Sequence, residues 1–383
     1  MERDPYKTCK KCDLQQIWIP QEIWRNLLTR LPIRCLMRCR CVCKSWRNLI
    51  EGDQFATPKQ FMAFVNQDMT GYAVADEDGQ PLFQFYWPPY STSHHRLVIS
   101  SVNGLLLLWD GLDDNRDILF IANPMTCEYT ELPPLPTRRC LYGFGVSKLS
   151  GQYKILCVDE SRFSHVYTLG GESASSWRRI LAPLTTRLPT TKPLWDSVTL
   201  RPSLDYAVFL NGNIHWVACD LENNFLVCCF DLETELFTSF PLPSLDVRIL
   251  IHPEDKRSVF LYLGYRLCIL EDQLCLCDTS YPRNAAKIWK MHNYGDASSW
   301  IKEYDFKSPT YYTTPLKVLT NGELLFTGHG GLFIYSKNTE AYDVRGFLQQ
   351  YCYYYFPSTT IYIPSFLSLK TLGIHNVQSL CFY

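Results

Sequence analysis

The chain has 383 residues, of which 46% are hydrophobic and 14% aromatic, which is enough to bury a sizeable core and excludes long disordered stretches. The formal net charge of −1 gives no reason to expect nucleic acid or a membrane surface as partner of the whole chain. The charge is uneven, however, because residues 1–50 contain eleven Lys and Arg against four Asp and Glu. A basic N-terminal segment on an acidic remainder predicts contact with an acidic partner.

The N-terminus is charged where a secretory leader would be apolar. The longest apolar runs, such as residues 105–109, are much shorter than the roughly 18 residues that a membrane span needs. The 17 cysteines follow no disulfide-framework spacing, which favours reduced thiols. We therefore expect a soluble protein of the cytoplasm, the nucleus or both.

The first 50 residues have a helical period. Apolar side chains recur at the spacing of an amphipathic helix at Ile23, Trp24, Leu27, Leu28 and Leu31. Pro20 suits the start of this helix, and Pro32 ends it because the residue before a proline is pushed out of the α region. A second apolar series over residues 33–50 predicts two further short helices. Such a small module buries little surface alone and depends on a partner.

From about residue 60 onward, short β-type runs are separated by turn pairs such as Asn103-Gly104. The same hairpin returns at Asn211-Gly212 and Asn321-Gly322, about 110 residues apart. Two segments that lead to Ser-Ser-Trp, ending at Trp177 and Trp300, alternate with these hairpins. A unit of this length with two alternating motifs predicts two four-stranded blades, hence a β-propeller of about six blades. A large two-sheet sandwich is the alternative.

Residues 19–50 closely resemble an F-box. The features that match are Pro20 with the acidic Glu22, the mid-motif Leu31-Pro32, and the block from Val42 to Trp46. This resemblance implies binding to a small acidic Skp-type adaptor, which holds a cullin and a RING subunit. The residues implied in adaptor contact are Ile19, Pro20, Ile23, Leu27, Leu31, Pro32, Leu36, Arg38, Val42, Cys43, Trp46 and Leu49.

The β-rich part resembles the F-box-associated domain of a large plant family, which is related to kelch-repeat propellers. The resemblance is carried by the Asn-Gly-Leu-Leu-Leu-Leu stretch, the Asn123-Pro124 element, residues 142–146 (Tyr-Gly-Phe-Gly-Val) and the paired Ser-Ser-Trp segments. The expected organisation is a flexible tail (1–16), an F-box (17–56), a linker with the first strands (57–95) and a propeller-like domain (96–383).

Together the two resemblances imply a non-catalytic substrate-recognition subunit of a Skp-cullin-F-box ubiquitin ligase, which directs a target protein to ubiquitination and proteasomal degradation. The target-binding residues stay unassigned, but we expect them on loops at one propeller face. The segments with most loop character are 86–95, 110–117, 161–176, 182–196 and 281–297. One alternative is a glycan- or small-molecule-binding propeller without ligase role, and another is an F-box protein that binds the adaptor without ligase function.

A zinc site is the one metal hypothesis that the sequence raises. Cys9 and Cys12 have a Cys-x2-Cys spacing that suits two thiolate ligands, and Cys35 and Cys39 could in principle complete the set. Ligation by that second pair would disrupt the F-box role of its helix. We therefore predict no metal, no cofactor and no catalytic residues.

Overall fold

A computed structural model describes residues 19–52, 60–65, 71–86, 96–113, 116–134, 141–158, 163–170, 176–181, 186–187, 207–220, 224–243, 264–279, 285–310, 313–328, 331–347 and 359–382. The chain divides into two compact units, Met1–Thr57 and Pro58–Tyr383. No helix in the described part of the chain is both long enough and apolar enough to cross a membrane.

The first unit contains the three short helices that the sequence predicts, α1 (Gln21–Thr29), α2 (Ile33–Cys39) and α3 (Lys44–Glu51). Pro20 and Pro32 cap the N-termini of α1 and α2 with φ of −53° and −55°, values that lie within the narrow range the proline ring allows. Cys43 caps α3, because its Sγ accepts the backbone N–H of Trp46 at 3.4 Å. The buried apolar residues that hold the helices together are Leu28, Ile33, Leu36 and Ile50.

The second unit is a six-bladed β-propeller, which confirms the fold class predicted from the repeats. Blade 1 contains β1 (Phe61–Val65), β2 (Tyr72–Ala75), β3 (Pro81–Tyr86), β25 (Thr359–Tyr362) and β27 (Cys381–Phe382). Blade 2 contains β4 (Arg96–Val102), β5 (Leu105–Asp113), β6 (Arg116–Asn123), β7 (Glu128–Glu131) and β26 (Gln378–Ser379). Blade 3 contains β8 (Leu141–Val146), β9 (Tyr153–Val158), β10 (Phe163–Thr168) and β11 (Arg178–Leu181).

Blade 4 contains β12 (Thr186–Arg187), β13 (Val208–Leu210), β14 (Asn213–Asp220), β15 (Phe225–Asp231) and β16 (Phe237–Pro241). Blade 5 contains β17 (Tyr265–Leu270), β18 (Gln273–Asp278), β19 (Ala285–Met291) and β20 (Trp300–Lys307). Blade 6 contains β21 (Thr314–Val318), β22 (Leu324–Gly328), β23 (Gly331–Ser336) and β24 (Ala341–Phe347). The inner strands β25, β4, β8, β13, β17 and β21 lie side by side in that order, and β21 returns to β25.

The Asn-Gly pairs connect the first and second strands of blades 2, 4 and 6. In blade 2, Asn103 and Gly104 both have positive φ, 50° and 80°, as a tight two-residue hairpin requires. Asn211 and Gly212 repeat this geometry in blade 4, with φ of 51° and 82°. The blade 6 turn differs, since only Gly322 of its Asn-Gly pair has a positive φ and its N–H bonds Leu319 O at 2.9 Å.

The two Ser-Ser-Trp segments have a shared structural role between blades. The indole N–H of Trp177 in blade 3 donates to Pro133 O at the exit of blade 2, at 3.1 Å. The indole of Trp300 in blade 5 donates to Pro241 O at the exit of blade 4, at 3.3 Å. Each indole thus satisfies a proline-exit carbonyl of the preceding blade, which explains why the two motifs alternate along the chain.

The ring is closed by the C-terminal segment. β25 pairs with β1 as the inner strand of blade 1, and β26 and β27 then add fifth strands outside β7 and β3. Between them the chain crosses blade 2, where Asn123 Nδ2 donates to Ser365 O at 3.0 Å and to Leu367 O at 2.7 Å. Residues 61–86, expected as first strands ahead of the β domain, therefore lie within its first blade.

Antiparallel strands divide the connections of the propeller between two faces. The face that carries the Asn-Gly turns, and also the turns between third and fourth strands, is called here the turn face. The opposite face, at which second strands pass to third strands and each blade passes to the next, is called the loop face. The C-terminal residues 365–372 cover the turn face at blades 2 and 3, through contacts with Asn103, Asn123 and Gly170.

Gly170 provides a test of how tightly this segment is held. A Cβ at Gly170 (φ +71°) would lie 1.6 Å from Leu372 O, whereas a Cβ at Gly151 (φ +66°) would contact nothing. Both Ala substitutions pay the left-handed strain, roughly 1–2 kcal/mol. We expect Gly170→Ala to cost about 1–3 kcal/mol more than Gly151→Ala in the free energy of unfolding of the propeller, measured by denaturant titration. Equal losses would mean that the C-terminal segment is not anchored at this position.

Candidate functional site

The helical unit exposes several large apolar side chains. Ile23 and Leu27, one turn apart on α1, are 51% and 48% exposed, and Val42 between α2 and α3 is 64% exposed. Leu31 and Pro32 in the turn between α1 and α2 are also exposed. Residues at i and i+4 share one face of a helix, so Ile23 and Leu27 form a continuous apolar stripe. An exposed apolar stripe on so small a unit is a feature of interaction sites.

The other predicted contact residues lie at different depths. Arg38 and Cys43 are exposed, whereas Ile19, Pro20, Trp46 and Leu49 are half-buried. The Trp46 ring packs on that of Trp24, with centroids 4.9 Å apart. Leu36 is 1% exposed and belongs to the core of the unit. We therefore correct the predicted set by removing Leu36, which the helical period alone could not distinguish from its exposed neighbours.

Basic residues surround the apolar stripe. Residues 19–52 contain seven Lys and Arg against two Asp and Glu. Arg30, Arg38, Lys44 and Arg47 are all exposed, and the Arg47 side chain donates its Nε–H to Arg40 O at 3.3 Å. An apolar stripe with a positive surround favours an acidic partner that has an apolar groove.

The loops predicted for target recognition fall mostly beyond the described chain. The parts that lie outside the described residues are 87–95, 114–115, 161–162, 171–175, 182–185, 188–196 and 281–284. The strands flanking 87–95, 114–115 and 182–185 end on the loop face. Of the zinc hypothesis, Cys9 and Cys12 also lie outside the described residues. Within the residues that are described, no three His, Cys, Asp or Glu side chains are grouped as metal ligands.

A buried polar group at the boundary of blades 4 and 5 was not noticed in the sequence. His215 on β14 is fully buried, and its Nε2 shares a 2.6 Å hydrogen bond with the hydroxyl of Tyr294, which follows β19. Cys229 Sγ lies 3.4 Å from the same hydroxyl. Burial lowers the pKa of His215 to about 4 and raises the pKa of the Cys229 thiol. A protonated thiol beside a neutral imidazole is unsuited to nucleophilic chemistry, so the group fastens two blades together.

The burial difference between Leu36 and Leu27 can be tested by stability. We expect Leu36→Ala to destabilise the helical unit by about 2–4 kcal/mol, because it leaves a cavity in the core. Leu27→Ala should change the stability by less than about 1 kcal/mol, since half of its side chain already contacts water. Amide hydrogen exchange of residues 19–52 in the full chain measures both effects. Similar loss of protection in the two variants would contradict the assigned depths.

His215 should make the propeller acid-sensitive. Its folded pKa lies below the value of about 6.5 for an unfolded His, so the unfolded chain takes up the proton first as the pH falls. The wild type should therefore lose about 3 kcal/mol relative to His215→Gln between pH 7 and pH 4, with little difference above pH 7. Denaturant titrations of both proteins across this range measure the difference. A pH-independent difference would show that His215 is not held neutral.

Comparison with known proteins is consistent with both units. Residues 18–57 match the F-box domain, and residues 72–360 match the F-box associated beta propeller domain, a match that covers more than half of the chain. The chain is 24% identical over 328 residues to the F-box protein At3g07870 of Arabidopsis thaliana, covering 78% of this chain and 74% of that protein. It is 22% identical over 359 residues to the F-box/kelch-repeat protein At3g23880 of the same plant, covering 83% and 87%.

Among solved structures, TolB from Acinetobacter baumannii is 11% identical, covers 84% of this chain and 71% of that chain, and superposes with a TM-score of 0.45. This score carries no argument about function. The assignment depends instead on the two domain matches, which agree with three helices followed by six blades. The chain therefore belongs to the family of F-box proteins in which the F-box is followed by an F-box associated β-propeller domain.

Proposed function

We propose that this F-box protein is the substrate-recognition subunit of a Skp-cullin-F-box ubiquitin ligase. Its helical unit binds a Skp-type adaptor, and through it a cullin and a RING subunit, while its propeller binds a target protein. The target is then ubiquitinated and degraded by the proteasome. The observation that carries the proposal is the exposed apolar stripe of Ile23 and Leu27 within a basic surface.

The apolar side chains supply the affinity in this proposal. Ile23, Leu27 and Val42 each leave half or more of their surface in water in the free chain. Covering such a side chain contributes about 1 kcal/mol. Leu31 and Pro32 extend the same kind of surface into the turn between α1 and α2. Several such contacts together are sufficient for a specific complex, and the half-buried Pro20, Trp46 and Leu49 fix the helices that present them.

The basic residues supply steering in this proposal. Arg38 and Lys44 are exposed around the apolar stripe, where they attract an acidic adaptor and exclude basic proteins. Exposed charges affect mainly the association rate, and salt screens them. Association should therefore slow as the ionic strength rises, while the dissociation rate changes little.

The propeller positions the target and has no chemical step assigned to it. We propose the loop face for target recognition, because the C-terminal segment covers part of the turn face at blades 2 and 3. A closed ring of antiparallel blades is a rigid scaffold on which loops vary without loss of the core. The chain would then act by raising the effective concentration of the target near the ubiquitin-carrying enzyme.

Adaptor binding is the decisive measurement. We expect purified Skp-type adaptor to bind the full chain and to bind the double variant Ile23→Ala/Leu27→Ala about 10- to 100-fold more weakly, because two half-exposed anchors are lost. Isothermal titration calorimetry measures both affinities. Leu149→Ala is the matched control, since Leu149 is an exposed apolar residue of the propeller and should leave adaptor binding unchanged.

Each outcome distinguishes between the candidate functions. If the folded wild type does not bind the adaptor, the ligase proposal fails and a glycan- or small-molecule-binding propeller takes its place. If the double variant binds as tightly as the wild type, the adaptor contacts another surface. Recovery of a cullin and a RING subunit together with the adaptor from a plant extract distinguishes a ligase subunit from an F-box protein that binds the adaptor alone.

A further inference from the structure

A cavity of about 190 Å³ lies between blades 5 and 6 on the turn face. Its floor is apolar and is formed by Leu270, Cys275, Ile288 and Val318. Its rim carries two cations, two anions and a phenol, contributed by Lys290, Lys337, Glu271, Glu303 and Tyr304. An apolar floor below a few converging polar groups is the usual construction of a small-molecule site.

The cavity lies where the repeat changes its packing. Cys127, Glu235 and Glu340 occupy the same left-handed position (φ of 59°, 58° and 52°) in the turns between third and fourth strands of blades 2, 4 and 6. Three residues earlier in the blade 4 turn stands Leu232, which is fully buried in the apolar cluster between blades 3 and 4. The corresponding residue in blade 6 is Lys337, whose side chain is 44% exposed and lines the cavity. An apolar side chain that fills one blade boundary is thus replaced by a cation at another.

The charged groups of the rim form two facing pairs. Lys337 Nζ lies 3.1 Å from Glu303 Oε2 and 4.0 Å from the centroid of the Tyr304 ring. Lys290 Nζ lies 2.6 Å from Glu271 Oε2. The hydrogen bond from Lys337 is the main cause that lowers the pKa of Glu303, and burial raises the pKa of Tyr304 to about 12. At neutral pH the rim therefore carries balanced charge and a phenol that can donate a hydrogen bond.

We propose that this cavity binds a small zwitterion, namely an α-amino acid with an apolar side chain, which is a function beyond adaptor and target binding. The ligand ammonium would be received by Glu271 and Glu303, and its carboxylate by Lys290 and Lys337. Its side chain would cover Leu270, Ile288 and Val318. The volume is somewhat larger than the roughly 150 Å³ cavity that accommodates benzene, which suits a ligand of about ten non-hydrogen atoms. A ligand with net charge would leave one rim pair unbalanced.

Three probes of one shape test the charge requirement. Isothermal titration of the full chain with L-leucine should show saturable binding. Leucinamide, which has only the positive charge, and N-acetylleucine, which has only the negative charge, should each bind at least tenfold more weakly. Equal binding of all three, or no binding of L-leucine at millimolar concentration, overturns the proposal.

The repeat itself supplies the variant that closes the site. Lys337→Leu restores the residue found at Leu232 of blade 4, so the variant should fold with a melting temperature no lower than that of the wild type and should lose L-leucine binding at least tenfold. Lys302→Leu is the matched control, because Lys302 lies on β20, pairs with Asp305 at 2.5 Å and does not line the cavity. Undiminished binding by Lys337→Leu overturns the proposal. Adaptor binding should be unchanged in both variants, so failure here is distinguishable from failure of the ligase assignment.

Discussion

The pairing of β25 with β1 is the contact on which the rest of the propeller depends. Phe61–Phe64 bond to Thr359–Tyr362, so the first and last described strands of the second unit share one sheet. Without this pairing, β1 would present a free edge and the inner strands would form an open series instead of a ring. Six blades that each bury their faces against two neighbours require closure, because an open series leaves two apolar blade faces in water.

The residues after β25 reinforce this closure. Glu128 accepts hydrogen bonds from Ser368 Oγ at 2.9 Å and from the backbone N–H of Leu369 at 2.7 Å. A similar arrangement holds blades 3 and 4, where Glu235 contacts Lys154 and Arg178 from the neighbouring blade. Acidic residues in the turns between third and fourth strands therefore connect these blades by polar contacts, as the Trp177 and Trp300 indoles do at the proline exits. The two-blade repeat is a repeat of boundary contacts as much as of strands.

Much of this architecture was predictable because its signals are local. The Asn-Gly pairs mark hairpins through the positive φ that they tolerate, and the helical period of residues 19–50 marks the three helices. The hairpin between β17 and β18 was missed, because Glu271 and Asp272 adopt φ of 50° and 57° without a glycine. The return of the C-terminal strands to blades 1 and 2 was also missed, since a strand carries no local signal of its distant partner.

The candidate sites show the same division between local and distant information. The F-box residues follow from one contiguous segment, but the burial of Leu36 depends on how α2 and α3 pack, which the helical period does not determine. His215 and Tyr294, and likewise Lys290 and Lys337, come together only when neighbouring blades meet. Gly143 and Gly145 gain their meaning in the same way, because a Cβ at either would lie 2.4 Å from Ile214 or Phe209 of blade 4.

Closure through β25 also determines the order in which the protein can be completed on the ribosome. The helices of the first unit make local contacts and can form as soon as they emerge, whereas β1 must wait until five further blades have been translated. Until then its edge is a template for pairing with other chains, which is the kind of surface that chaperones protect. The contact that makes the finished ring rigid therefore makes the nascent chain depend on protection for most of its synthesis.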